Sequence, residues 1–425
     1  MEPSTARFRS AIDHRHDAGR SVVLRYRNAL RFDRDDAGGR GGAPGRDPDG
    51  DGAAESAERA HSAFRDLLVR CSIAEGARLF HLFDHRGVAV HVLDETSAMH
   101  TGTLKSIDGC VTIAFCLRDG LSRIAFESGG NTGVALTAYG TRMGLETACF
   151  VPEENVSLLD GRVFAHERAR LVAVADPGGV RAAAERFAEE TGYARVPRTS
   201  WRIAAARVLG CFLLEQALEG VEFDVLVQTI SAGFGPIGIY DVLAAHGARQ
   251  PRFLGVQQAG NCAMVRAWRA GSADAPAPPV RSTAALLSRV MYDSRPQTYG
   301  TYDRLARLVE RTRGSLVTID HASFAEALER HPVGREIVAR LASNGVAITR
   351  RDGDVVEKTG LLALAGALAE IDGGGIPAGS RVLCCLTSGV ARCDVPAVPD
   401  ERVAEAADPH RDAVPRAAAA GGSHG

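Results

Sequence analysis

The chain has 425 residues, of which 45% are hydrophobic and 24% are charged, and its formal net charge is −2. This length allows two domains of ordinary size, and the composition excludes a chain that is disordered over most of its length. The small net charge argues against nucleic acid or an anionic membrane as a partner, and no apolar run approaches the roughly 18 residues of a membrane span.

The nine cysteines favour a reducing compartment. Their number is odd, Cys384 and Cys385 are adjacent, and the sequence contains no CxxC pair. This pattern is not typical of a disulfide framework or of a structural zinc site. Residues 1–9 also lack the apolar core of a secretory signal. We therefore expect a cytoplasmic protein with free thiols and no bound metal.

Short apolar runs alternate with amphipathic stretches along most of the chain. The predicted strands are residues 87–94, 123–127, 147–151, 170–174, 225–230, 252–256 and 382–386, and the predicted helices are 132–142, 179–191, 199–217, 236–246 and 359–369. Residues 37–58 predict a disordered insertion, 273–279 a Pro/Ala loop and 404–425 a loose tail. The alternation indicates an α/β fold with mostly parallel sheets, whose ligands bind where strands lead into helices.

Lysine is almost absent from this chain, since only Lys105 and Lys358 occur among 50 basic residues. An amine can lose its proton and form an imine, whereas a guanidinium cannot, so a retained lysine indicates nucleophilic chemistry. Lys105 follows a small, hydroxyl-rich turn and begins a predicted helix, where the helix dipole disfavours the charged amine. We interpret Lys105 as reactive, the alternative being a solvated first-turn lysine. No motif surrounds Lys358, which we interpret as structural.

Two further strand-to-helix turns are rich in small residues. The turn 127–133 allows a flat ligand to approach the backbone and contains Asn131, although a helix cap is the simpler interpretation. The turn 231–235 precedes a predicted helix, and successive N–H groups at such a helix start form a phosphate cradle. Its glycines also match the dinucleotide pattern GxGxxG. A nicotinamide site is disfavoured because Gln257 and Gln258 stand where the ribose-binding acid is expected.

These features, together with the hydroxyl pair Thr387 and Ser388 after the last predicted strand, resemble the fold-type II pyridoxal-phosphate enzymes. The segment MHTGTLKSI at 99–107 is similar to NPTGSFKDR of threonine synthases, SGGNT at 128–132 to S-[ST]-G-N-T, and ISAGFGPIGI at 230–239 to VGNGGNISGI. Weaker similarities occur at 24–30, 255–268 and 386–389. The likeness covers roughly residues 20–30 and 70–392.

The resemblance implies a tryptophan synthase beta-like fold with two three-layer αβα domains and mostly parallel sheets. It implies a smaller domain at 71–200, which carries the lysine and the Asn turn, and a larger domain at 201–400, which carries the phosphate loop. The segments 1–70 and 401–425 flank these domains, and the latter is expected to be disordered. A homodimer is the expected assembly, with an amino acid as the small-molecule substrate.

The resemblance also implies pyridoxal 5′-phosphate as the cofactor, bound covalently to Lys105, which would then act as the catalytic proton shuttle. Asn131 would contact the ring 3′-oxygen, and Thr387 or Ser388 would face the pyridine nitrogen. The phosphate would be bound by Ser231, Ala232, Gly233, Phe234 and Gly235. The substrate site would be lined by Ser128, Gly129 and Thr132. A neutral hydroxyl leaves the pyridine nitrogen largely unprotonated. The weaker electron sink favours elimination and replacement over transamination.

Departures from the threonine synthase pattern decide among the expected reactions. Ser106-Ile107 replaces the usual acidic-basic pair after the lysine, Ala77-Arg78-Leu79 replaces an NTPL-like strip, and Gly129 replaces a hydroxyl residue. Gly129, together with residues 264–271 and 292–302, is more similar to cysteate synthases, and it should leave more room beside the substrate carboxylate. We therefore expect a pyridoxal-phosphate-dependent transferase or lyase that makes cysteate from O-phosphoserine and sulfite. The alternatives are threonine synthase, another β-replacing amino-acid synthase, or a non-catalytic binding protein.

Overall fold

The computed structural model describes residues 3–30, 50–275, 280–293, 296–348, 358–388 and 395–403. The N-terminal part is helical, with α1 (Pro3–Ala11), α2 (Val22–Tyr26) and α3 (Gly50–Cys71). Helix α3 begins within the range 37–58, so the prediction of disorder is wrong from residue 50 onward, because this stretch is rich in the helix formers Ala and Glu. The rest of that range, the predicted tail 404–425 and residues 276–279 of the predicted loop lie outside the described residues.

Strands and helices alternate through the remainder of the chain. The strands are β1 (Arg78–His85), β2 (Val88–Asp94), β3 (Arg123–Glu127), β4 (Glu146–Pro152), β5 (Ala169–Val174), β6 (Ala194–Arg195), β7 (Val225–Thr229), β8 (Arg252–Gln258), β9 (Ser315–Ile319), β10 (Arg381–Leu386) and β11 (Glu401–Val403). The helices are α4 (Lys105–Arg118), α5 (Asn131–Arg142), α6 (Gly161–Phe164), α7 (Val180–Thr191), α8 (Thr199–Leu218), α9 (Phe234–Ala245), α10 (Ala263–Ala270), α11 (Tyr302–Arg311), α12 (His321–Ala325), α13 (Pro332–Ser343) and α14 (Thr359–Asp372).

Two sheets organise these elements. One has six strands in the order β1-β2-β10-β7-β8-β9, and the other has five in the order β11-β5-β4-β3-β6. Strand β1 pairs with β2 in the antiparallel direction, and the other ladders between the described strands are parallel. Helices follow most of the strands, so the predicted α/β class with mostly parallel sheets is confirmed.

The sheets do not follow the predicted domain boundaries. Strands β1 and β2 lie within residues 71–200 but join the sheet that contains β7 to β10, and β11 lies beyond residue 400 but pairs with β5. Ladder bonds between distant segments decide this membership, and the local sequence pattern does not contain them. The division into a smaller and a larger domain stays a prediction.

A close contact between two helices positions the loop that precedes α9. A Cβ atom at Gly238 would lie 2.5 Å from the Cβ of Ala206 in α8, and one at Gly210 would lie 2.8 Å from the Cβ of Val242 in α9. Glycine at both positions lets the two backbones approach closely. Gly238, the last glycine of the GxGxxG match, therefore serves helix packing.

Two further observations concern the chemistry and hydropathy of the described residues. The eight cysteines described are free and buried. No helix in the described ranges is long and apolar enough to cross a membrane. The cytoplasmic location stays a prediction.

Candidate active site

The carboxyl ends of three adjacent strands lie at one edge of the six-stranded sheet. Strands β2, β10 and β7 are neighbours and run parallel, so the segments that follow them are also neighbours. These segments contain Lys105, the pair Thr387 and Ser388, and the loop 231–235. The second sheet contributes Asn131, which begins α5 shortly after β3. The structure thus brings the predicted site residues into one region, as expected for ligand sites of parallel sheets.

Lys105 is the first residue of α4, and backbone contacts tie its turn to the end of β10. The Leu104 N–H donates to the Thr387 carbonyl at 3.0 Å, and Thr103 forms an isolated β-bridge with Ser388. The Lys105 side chain is 22% exposed, and its Nζ lies 3.0 Å from Oδ2 of Asp108. This geometry differs from the alternative of a solvated first-turn lysine.

Burial and the neighbouring charges determine the protonation of Lys105, and three influences are the largest. Burial lowers the pKa of its amine, the Asp108 carboxylate raises the pKa, and the Arg202 guanidinium lowers it, so the pKa is below its ordinary value. A lowered pKa increases the fraction of neutral amine, which is the nucleophilic form. Lys358 caps the start of α14, with Nζ 5.9 Å from the centre of the Phe324 ring.

Asn131 and Ser388 face each other across the two sheets. The Asn131 side-chain amide donates to Oγ of Ser388 at 2.8 Å, while Ser388 and Thr387 are 1% and 5% exposed. Asn131 is the first residue of α5 and Gly130 is its cap, so the capping role expected of this turn does not fall on the Asn131 side chain. The side chain of Asn131 is thus directed to the strand-end hydroxyls. Which of the two hydroxyls faces the pyridine nitrogen stays open.

Ser128 supplies the hydroxyl that stabilises the start of α5. Its Oγ accepts hydrogen bonds from the N–H groups of Gly130 at 2.9 Å and Gly133 at 2.8 Å. These bonds satisfy donors that have no acceptor within the helix. The predicted contact of Ser128 with the substrate stays a prediction, beside this structural role. Thr132, the next residue predicted to line the substrate site, accepts a hydrogen bond from Arg202 at 2.9 Å.

The space beside Gly129 is filled by the backbone of Val290. A Cβ atom at Gly129 would lie 2.5 Å from the Val290 carbonyl oxygen, and one at Gly130 would lie 2.8 Å from Cγ1 of Val290. The expectation that Gly129 leaves more room is therefore wrong. A segment distant in sequence occupies the volume that a missing side chain was expected to leave open.

The loop 231–235 has the form of a backbone anion site. Gly233 adopts a left-handed conformation with φ of 77° immediately before α9, and no side chain caps this helix. The N–H groups of the first turn have no acceptor within the helix, and the loop contains no lysine or arginine. The Thr301 hydroxyl donates to the Ala232 carbonyl at 2.6 Å and so holds the loop. The loop fits a phosphate bound mainly through backbone N–H groups.

Three charged residues near this region were missed by the sequence analysis. Asp108 and Arg202 form an ion pair at 3.3 Å, and Glu95, at the end of β2, is 0% exposed. Asp108 could have been found, because a residue three positions after Lys105 lies on the same helix face. Nothing in the sequence distinguishes Arg202 from the other arginines. Glu95 follows a buried strand, and this is its only signal.

These residues fit pyridoxal 5′-phosphate. A lysine with a lowered pKa, an amide paired with buried hydroxyls, and an uncapped glycine-containing helix start are the groups that its aldehyde, ring and phosphate need. When bound, the cofactor supplies an electron sink for a carbanion at Cα of an amino acid. Lys105 would hold the cofactor, and its Nζ would accept or return a proton. A site of this kind on this fold is typical of fold-type II pyridoxal-phosphate enzymes.

Comparison with known proteins supports this class. The sequence profile of the family described as pyridoxal-phosphate dependent enzyme matches residues 77–388, which is more than half of the chain. A threonine synthase from Methanosarcina acetivorans is 23% identical over 324 residues, covering 71% of this chain and 73% of that protein.

Two solved structures are similar in fold. A pyridoxal 5′-phosphate-dependent aspartate racemase has a TM-score of 0.59 at 17% identity, and the match covers 77% of this chain and 94% of the racemase chain. Diaminopropionate ammonia lyase from Escherichia coli has a TM-score of 0.59 at 14% identity and covers 79% of this chain and 90% of its own. The chain belongs to the pyridoxal-phosphate dependent enzyme family. The predicted fold type, cofactor and enzymatic nature are confirmed.

We expect Gly233→Ala to raise the dissociation constant for pyridoxal phosphate about tenfold, because a left-handed alanine costs roughly 1–2 kcal/mol and displaces the loop. The new Cβ would also lie 3.2 Å from Leu305. Absorbance titration of the cofactor-free protein measures the constant. Gly374→Ala is the matched control, since Gly374 has φ of 75° and open space around it. An unchanged constant for Gly233→Ala would place the phosphate elsewhere.

Proposed function

We propose that this enzyme replaces or eliminates the phosphate of a small phosphorylated amino acid, most similarly to a cysteate synthase. In that reaction O-phospho-L-serine and sulfite give L-cysteate and phosphate. The observation that carries the proposal is the buried hydroxyl pair Thr387 and Ser388 at the carboxyl end of β10, beside Asn131. The family resemblance assigns one of these two neutral groups to the pyridine nitrogen.

The chemistry follows from the strength of the electron sink. A hydroxyl does not keep the pyridine nitrogen protonated, as the negative charge of a carboxylate partner does, so negative charge at Cα is less strongly delocalised. A carbanion of this kind is relieved by loss of a leaving group, and phosphate is a good one. Lys105, with its lowered pKa, suits the removal of the Cα proton.

Gly129 is the second support for this proposal. The Val290 carbonyl and side chain stand where side chains at Gly129 and Gly130 would lie. The resemblance associates a residue without a hydroxyl at this position with cysteate synthases, so Gly129 favours replacement at Cβ over chemistry at Cγ.

Threonine synthase activity is the second candidate. The observation in its favour is the similarity to the threonine synthase of Methanosarcina acetivorans, at 23% identity. In that case O-phosphohomoserine and water would give threonine and phosphate. A β-replacing synthase with a differently activated amino acid is the broader alternative of the same class.

The test offers the holoenzyme O-phosphoserine with sulfite and, separately, O-phosphohomoserine alone, and follows phosphate and amino-acid products. We expect phosphate and cysteate from the first mixture. Threonine from the second would instead favour the second candidate. Lys105→Ala is the matched control for phosphate released without the cofactor lysine. Phosphate from neither mixture, with cofactor bound, would contradict a phosphate leaving group.

We further infer a homodimer, because the fold-type II resemblance implies one. Light scattering during size-exclusion chromatography measures the mass in solution. A monomeric mass for the active holoenzyme would overturn this inference.

A further inference from the structure

One carboxylate oxygen in the site is shared by two cationic side chains. Oδ2 of Asp108 lies 3.0 Å from Nζ of Lys105 and 3.3 Å from Nη2 of Arg202. The side chains of Asp108 and Arg202 are 7% and 10% exposed, so both charges are largely removed from water. The lysine that is assigned to the cofactor therefore lies in a buried ion-pair network.

Arg202 is fixed by contacts that do not involve Lys105. Its Nη2 also donates to the Thr132 hydroxyl at 2.9 Å, and its guanidinium lies 4.5 Å from the centre of the Phe234 ring and 5.8 Å from that of Tyr299. Asp108 thus keeps a cationic partner when the Lys105 amine is engaged elsewhere. Without Arg202, that state would contain an unpaired buried carboxylate, which is strongly unfavourable.

We propose that Asp108, held by Arg202, is a positioning residue that binds the Lys105 ammonium whenever Nζ is not bound to the cofactor. This inference rests on the proposed function only in assigning Lys105 to the cofactor. When Nζ has accepted a proton, the ammonium donates a hydrogen bond to Oδ2 of Asp108, and the proton stays on Nζ. The ion pair keeps the protonated Lys105 amine within the site until Nζ returns the proton.

The charges that face Lys105 come from three elements. Asp108 lies on the same helix, Arg202 comes from α8, and Glu95 comes from the end of β2. Burial lowers the pKa of Lys105, Asp108 and Glu95 raise it, and Arg202 lowers it. Burial raises the pKa of Asp108, but Lys105 and Arg202 outweigh it and hold this pKa below its ordinary value, so Asp108 stays ionised and does not take the proton. Changes at Asp108 and Arg202 should therefore shift the pKa of Lys105 in opposite directions.

The scarcity of lysine makes the pKa of Lys105 measurable. The full chain, with its cofactor removed, is treated with trace acetic anhydride across a range of pH, and mass spectrometry quantifies acetylation of the peptides that contain Lys105 and Lys358. Because only a neutral amine reacts, the profile gives the pKa of each lysine. Lys358 is the reference within the same molecule. Circular dichroism confirms that each variant is folded.

We expect Asp108→Asn to lower the pKa of Lys105 by about 1 to 3, because the variant loses an opposite charge that raises this pKa by about that amount. Arg202→Gln should raise the pKa, while Arg202→Lys, which keeps the charge, should leave it close to the parent's. If Asp108→Asn does not fold, the two Arg202 variants decide. A pKa within about 0.3 of the parent's in the Asn and Gln variants, or shifts of the same sign, would overturn the proposal. Because no substrate is present, this outcome is separate from failure of the proposed function.

Discussion

Lys105→Arg is expected to abolish turnover and to remove the visible absorption band of the bound cofactor. A guanidinium cannot form an imine, so charge is retained at this position while the covalent bond is lost. Borohydride reduction of the parent holoenzyme should bleach the band and attach the cofactor to the peptide that contains Lys105. Spectroscopy, mass spectrometry and phosphate release together check the three parts of this prediction.

Lys358→Arg is the matched control, because it removes the other lysine of the chain in the same way. Lys358 lies at the start of α14, with its Nζ 5.9 Å from the centre of the Phe324 ring. This variant should keep the band, the labelled peptide and the activity of the parent. Cofactor on the Lys358 peptide would refute the assignment of Lys105.

Local pattern was sufficient for the elements that carry the site. Strand β3 (Arg123–Glu127) has the predicted bounds, and α5 begins one residue before its predicted start. In these segments a continuous apolar run, or apolar residues at helical spacing, is bounded by turn residues. The common location of the turns could be predicted as well, because a parallel sheet places the ends of neighbouring strands together.

Pairing between distant segments could not be predicted in the same way. Strand β1 (Arg78–His85) carries charged residues and joins the six-stranded sheet by pairing with β2, while β11 is three residues long and pairs with β5. Neither segment has a distinctive period of its own. The same limit explains the error at Gly129, where the nearby backbone of Val290 decides the available space.

The charged network at Lys105 shows a similar limit. Asp108 and Arg202 are separated by 94 residues, and their ion pair depends on how α4 and α8 pack. With 48 arginines in the chain, sequence scarcity identified the lysine but could not identify its arginine neighbour. Helix packing thus adds the residues that control protonation to a site whose cofactor contacts were predicted.

Glu95 is a buried acid whose pKa is well above its ordinary value. Neither of its carboxylate oxygens has a hydrogen-bond partner among the described residues, and the side chain lies close to Lys105 and Cys385. Burial raises its pKa from 4.5 to about 8, although the Cys385 thiol and the Lys105 charge act in the opposite direction. The folded protein therefore holds this proton more tightly than the unfolded chain does.

The sign of the stability effect follows from this difference. The stabilising contribution of the Glu95 proton is fully present below about pH 4.5 and is lost as the pH rises towards about 8. Above that range, the folded protein contains a buried carboxylate, whose charge the Cys385 thiol and Lys105 offset only in part. At about 1.4 kcal/mol per pKa unit, the loss amounts to a few kcal/mol.

We therefore expect Glu95→Gln to stabilise the cofactor-free protein by a few kcal/mol at about pH 9 and to have little effect at about pH 5, because Gln has the same shape and no charge. Denaturant unfolding at both pH values measures the difference. Asp94→Asn is the neighbouring control of opposite sign: burial raises the pKa of Asp94, but hydrogen bonds from Ser97, Thr96 and Arg78 outweigh burial and hold that pKa below its ordinary value. Asp94→Asn should therefore destabilise the protein at about pH 9, and this loss of stability should become smaller as the pH falls through the acid range. Equal effects of Glu95→Gln at the two pH values would show that Glu95 is ionised in the folded protein throughout.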